Sequence, residues 1–215
     1  MLTDLLKWGG KRPGASGADP SRPGNGEDMV VASKALPKFL NALGQQSSPV
    51  LIDFGPVIGS NVEFFGERLG CKLFIEDLIG EVDRHTRAAT LPDLPSTFEK
   101  RFRHGDASAD GVLCWDIFDF LDKNAGQALA RQVVRMLRPG GAVMSFFCTS
   151  GVEGATFTKY EIVDDVTLRY RRHSGVGGHR RAVQNRDIIR MFEGLIVSDQ
   201  FLLKNNTREI LLRAR

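Results

Sequence analysis

Short apolar runs alternate along this chain with longer stretches in which apolar side chains recur at helical spacing. Val50–Phe54, Leu73–Ile75, Ala109–Cys114 and Ala142–Phe147 are runs that suit strands covered on both faces. Between them, Leu78–Ala88 places Ile79, Val82 and His85 on one face, and Asn124–Leu137 does the same with Leu129, Val133, Met136 and Leu137. Pro37 opens a helix that runs to Leu43, with Gly44 as its stop. Pro92 and Pro95 predict a loop, and Phe98–His104 a short third strand before Gly105. Tyr160–Tyr170 alternates as a hairpin or flap would. Asn185 is the expected cap of a helix over 186–192 that Gly194 ends, and Ile196–Leu203 and Glu209–Leu212 read as strands joined by Asn205-Asn206. Strands and helices in alternation predict an α/β protein with a Rossmann-like αβα layering.

The stretch from Val50 to Glu76 carries the candidate chemistry. Gly55 and Gly59 follow the first buried strand and let the backbone turn tightly and approach a ligand. Ser60 with Glu63 three residues on is a capping-box pattern, which predicts a helix start with free N–H groups facing an anionic group. Glu76 ends the next strand, 23 residues after Asp53, near the roughly 20-residue step at which nucleotide-binding βαβ units place a ribose-binding acid. These positions define a nucleotide-cofactor site or the remains of one.

On those residues the chain resembles the class I S-adenosylmethionine-dependent methyltransferases. Their first motif, acid-x-Gly-x-Gly-x-Gly, is matched by Asp53-Phe-Gly55-Pro-Val57-Ile-Gly59, with Val57 in place of the central glycine. Ala109–Asp116 is similar to the family's fourth strand, and Leu137-Arg-Pro-Gly-Gly141 before Ala142 to the entry into its fifth. The resemblance is clearest over 48–150. It implies a seven-stranded, mostly parallel sheet with an antiparallel last strand, and S-adenosylmethionine as cofactor. By position it assigns cofactor contacts to Asp53, Gly55, Pro56, Val57, Gly59 and Asn61. Glu76 and Asp77 then face the ribose, Asp106 the adenine, and Trp115 the end of the fourth strand. Asp116, at the carboxyl end of that strand, is the candidate for orienting or deprotonating the methyl acceptor. At the central glycine the β-branched Val57 would intrude on the cofactor or require a changed loop path.

Composition narrows this reading without redirecting it. The 215 residues are 42% hydrophobic and 26% charged, ordinary for one α/β unit with a full core. Residues 1–28 hold almost no large apolar side chain beyond the first few and are expected to be a disordered tail ahead of a methyltransferase-like domain over 29–215. No run approaches the roughly 20 apolar residues that span a bilayer, and no secretory leader is evident. Cys71, Cys114 and Cys148 are far apart and read as reduced core residues, in keeping with a cytoplasmic protein. A net charge of +3 does not call for a nucleic-acid partner, and the four histidines lack metal-ligand spacing.

The C-terminal third holds Arg169, Arg171, Arg172, Arg180, Arg181 and Arg186 with no acid among them, and His173 and His179 besides. As a basic flap over 159–184 it would suit an anionic substrate, gripped by Arg171, Arg172 and His173; as a solvated loop it would grip nothing. The leading reading is methyl transfer to a small-molecule or protein acceptor. The alternative is a methyltransferase-fold binding module without activity. A nicotinamide-dependent oxidoreductase ranks below both, because Gly55 is followed by Pro56, Val57 and Ile58 where Gly-x-Gly-x-x-Gly is required.

Overall fold

The structure, a computed structural model, describes residues 28–151, 156–174 and 180–215. Its central sheet is built from β2 (Val50–Asp53), β3 (Lys72–Ile75), β4 (Ala109–Trp115), β5 (Leu137–Cys148), β8 (Leu195–Leu202) and β9 (Thr207–Ala214), in the spatial order β3-β2-β4-β5-β9-β8. The pairs β2–β3, β2–β4 and β4–β5 are parallel, whereas β9 runs antiparallel to both β5 and β8. A second, antiparallel sheet has the order β1-β7-β6, from β1 (Met29–Ala32), β6 (Thr156–Asp164) and β7 (Thr167–Ser174).

Each face of the central sheet has its own apolar core. On one face lie α3 (Leu78–Arg87), α4 (Leu94–Arg101), α5 (Lys123–Met136) and α6 (Asn185–Met191), which bury Leu78, Val82, Phe98, Leu129, Val133 and Ile188 against Ile52, Val112 and Val143. On the other, α1 (Leu36–Leu43) buries Leu36, Phe39, Leu40 and Leu43 beside the small sheet, which contributes Tyr160, Ile162, Leu168 and Tyr170. The expected αβα layering therefore holds, but one outer layer is part helix and part sheet.

Three local expectations change. The central sheet has six strands among the described residues, because the predicted strand over 98–104 is instead the end of α4 followed by coil. Leu94, Phe98 and Phe102 are all buried, and their spacing of four is helical; Pro95 falls in the first turn of the helix, where its missing N–H costs nothing. The capping box does not form: α2 (Gly59–Glu63) begins after Ile58 without a side-chain cap, and Ser60 Oγ donates to Glu161 Oε1 at 3.3 Å. Helix α6 begins at Asn185 itself, with Gln184 at the cap position. The expected tail lies outside the described residues except for Asp28. All three cysteines are buried and unbridged.

Candidate functional site

Strand β2 has β3 on one side and β4 on the other, so the chain reverses its direction of strand addition there. Open α/β sheets bind ligands in the crevice outside the carboxyl ends of strands at such a point. Asp53 ends β2, is buried, and uses one oxygen twice: Oδ1 accepts from Gly55 N–H at 2.8 Å and from Trp115 Nε1 at 2.6 Å. Burial raises its pKa to about 6, the two N–H donors offsetting part of the desolvation.

Trp115 dominates this crevice. It ends β4 at φ 48°, a left-handed conformation rare for a bulky residue, and is 4% exposed. Its indole stacks on Tyr160 of β6, with ring centroids 5.2 Å apart and planes 2° from parallel. A Cβ at position 55 would fall 2.8 Å from the indole Cδ1 and Nε1, so Gly55 makes room for Trp115. Val57, at the family's central-glycine position, is 67% exposed: the loop turns its side chain outward instead of into the crevice.

The other expected cofactor contacts are engaged within the chain. Asn61 Nδ2 donates to the Tyr160 carbonyl and its Oδ1 accepts from Ile162 N–H, both at 2.8 Å, so this side chain pairs with β6 as a neighbouring strand would. Glu76 holds His104 Nε2 at 2.7 Å and lies 3.4 Å from Arg101, whose other contact is the buried Glu81. Asp77 caps α3 by accepting from Gly80 N–H. Asp106 is exposed and pairs with Arg135 at 2.7 Å. Pro56 lines the crevice, while the place of a Cβ on Gly59 is open.

Beyond Trp115 lies a buried ionic cluster that sequence reasoning did not assemble. Arg180 Nη2 is 2.8 Å from Asp119 Oδ2 and 3.0 Å from Asp116 Oδ2. Asp119 also accepts from Cys148 N–H, and its carbonyl accepts from Arg181 N–H at 2.8 Å. Desolvation raises both carboxyls, Asp119 to about 7, against the opposing pull of the guanidinium. The available signal was two acids three apart inside the apolar Trp115–Phe120 stretch, which cannot be buried without a cation. Of the three expected substrate contacts, Arg171 pairs with Glu161 and Asp28, and His173 stacks on Phe157; Arg172 alone lines a cavity, described below.

What remains of the crevice between Phe54, Gly55, Ile79, Trp115, Asp116 and Tyr160 is about 10 Å³. That is room for about one water, whereas pockets for drug-sized ligands run about 300–1,000 Å³. The backbone fits S-adenosylmethionine, with its strand, tight turn, helix and Glu76 at the next strand end. The side chains as packed here do not.

No family model matches the sequence, and no curated protein matches it. Solved structures do. The 1,6-didemethyltoxoflavin-N1-methyltransferase of Burkholderia thailandensis, determined with 1,6-didemethyltoxoflavin and S-adenosylhomocysteine, is 15% identical, with a TM-score of 0.50 over 84% of this chain and 77% of that one. The CcbJ methyltransferase of Streptomyces caelestis is 15% identical, with a TM-score of 0.49 over 84% and 94%. A methyltransferase of Clostridium acetobutylicum described as S-adenosylmethionine-dependent is 13% identical, with a TM-score of 0.47 over 86% and 92%. With β9 antiparallel between β5 and β8 beside an otherwise parallel sheet, the first of these likenesses shows that the chain has the fold of the class I S-adenosylmethionine-dependent methyltransferases.

Proposed function

We propose that this chain is an S-adenosylmethionine-dependent methyltransferase acting on a small-molecule or macromolecular acceptor, and that Trp115 and Tyr160 close its donor crevice in the state described here. The observation that carries this reading is the crevice itself: Asp53 and the Gly55 turn end one parallel strand, and Glu76 ends its neighbour, at the point where strand addition reverses. The residues that would hold the cofactor are Asp53, Gly55, Pro56 and Glu76. Strain supports the gating part, since a bulky residue at positive φ persists only while its surroundings hold it, and such residues gather at switch regions. A second reading, a methyltransferase fold kept as a binding module without catalysis, is favoured by the filled crevice and by the engagement of Glu76 with His104.

Calorimetric titration with S-adenosylmethionine and S-adenosylhomocysteine separates the two. In the gated protein, removing the indole relieves the conformational cost of opening, so Trp115→Ala should bind S-adenosylhomocysteine about tenfold or more tightly than the wild type. Absence of binding to the wild type and to folded Trp115→Ala alike would favour the silent module.

A further inference from the structure

A second cavity, of about 170 Å³, lies on the far side of Tyr160 from the closed crevice; Thr158 and Tyr160 line both. Its wall brings together Arg172 of β7, Arg180, the Tyr160 and Tyr170 rings and Asn205 of the β8–β9 turn. The tyrosines meet edge to face at 4.8 Å and are 4% and 6% exposed, so the floor of the cavity is interior, while Arg172 stands exposed at its mouth.

Several polar atoms in this wall are left without partners. Tyr170 Oη is buried without a hydrogen bond of ordinary geometry, although Asn205 lies beside it. Arg180 Nε is likewise buried and unpartnered, the guanidinium having spent Nη2 on Asp116 and Asp119. Among the described residues no carboxylate pairs with Arg172, although Arg171, one position earlier, has two. Buried donors without acceptors cost free energy, and a ligand that accepts from them recovers it.

We infer that this cavity binds a small carboxylic acid as its carboxylate, held between Arg172 and Arg180 with the Tyr170 hydroxyl as a further donor. Guanidinium forks match a planar carboxylate. The charge balance selects a monoanion: Asp116 and Asp119 stand behind Arg180, and Glu209 lies near Tyr170, so the field is too weakly positive to reward a phosphate dianion. The volume suits a compact molecule whose body rests on the tyrosine rings. Because this cavity shares Thr158 and Tyr160 with the donor crevice, the carboxylic acid is the methyl acceptor, or the anchoring end of it. Only that last step rests on the methyltransferase reading.

The test is calorimetric titration and thermal shift of the full chain, without cofactor, using benzoate, its neutral isostere benzamide, and inorganic phosphate. Benzoate should bind and raise the Tm while benzamide does not. Arg172→Ala should weaken benzoate about tenfold or more, the loss of a charge-assisted bond, without changing the Tm of the free protein. Tyr170→Phe should weaken it less while keeping the ring. No benzoate binding, equal binding of benzamide, preference for phosphate, or full affinity in Arg172→Ala would each overturn the assignment. If folded Trp115→Ala fails to bind S-adenosylhomocysteine while the wild type binds benzoate, the cavity assignment stands and the acceptor role falls.

Discussion

The two sides of Tyr160 differ in a way that the fold alone does not predict. On one side, the crevice at the ends of β2 and β4 has recognisable motif residues and almost no space, because Trp115, Tyr160 and Asn61 bond and stack with one another there. On the other, a cavity of about 170 Å³ has no recognisable motif but holds buried donors without acceptors. Motif residues show where a ligand belongs in a fold. Unpaired polar atoms show where this particular chain is prepared to receive one.

The largest test of this contrast is Arg180→Ala. It would leave Asp116 and Asp119 buried without their counter-charge, and removing one partner of a buried ionic cluster costs about 3–5 kcal/mol. Urea unfolding should show that loss, and a variant as stable as the wild type would mean that the cluster does not hold the two sides together. Asn61→Ala comes next. It removes two of the bonds that tie β6 to the crevice wall, for about 2 kcal/mol, and should raise hydrogen exchange at Ile162 more than at Leu113.

A pH series gives a smaller and more selective effect. Burial raises Asp53 to about 6 and Asp119 to about 7 from the ordinary 3.8, so between these values the folded protein holds protons that the unfolded chain has released. Their contribution to stability is complete below the ordinary value and is lost as pH rises through 6 and then 7. Asp119→Asn should therefore show a flatter fall in urea midpoint over that window than the wild type, and an unchanged slope would place the titration elsewhere. The smallest expected effect is Glu76→Gln. Its partly exposed pairs with His104 and Arg101 are worth about 1 kcal/mol or less, so stability should barely move, and any larger loss would make Glu76 a structural residue before a ligand contact.

The closed side was largely legible in the sequence, and the open side was not. Val50–Phe54, Leu73–Ile75 and Ala142–Phe147 announce buried strands because both faces of a parallel sheet are covered, and Gly55 and Glu76 follow at fixed short steps. Phe98–His104 is ambiguous because a short apolar run fits either period; the spacing of Leu94, Phe98 and Phe102 is the better guide. Ser60 and Asn61 were read as local signals, a cap and a cofactor contact, yet their partners Glu161 and Tyr160 lie 101 and 99 residues away. Arg180 joins Asp119 across 61 residues, and no local pattern encodes that meeting. Arg171 and Arg172 are adjacent and chemically alike, but alternate strand faces send one to Glu161 and the other to the cavity.

The fit between Gly55 and the indole of Trp115 also has a consequence for descent. A single methyl group at position 55 would overlap the tryptophan by more than packing tolerates, so the two positions are not free to vary apart. A side chain at 55 would force the indole out of the place it holds here, so glycine at 55 and the stacked aromatic at 115 are expected to change together. An alignment broad enough to sample both positions would carry this as paired substitution. The branch on which the pair first departs from glycine and tryptophan would then mark where the crevice changed between open and closed.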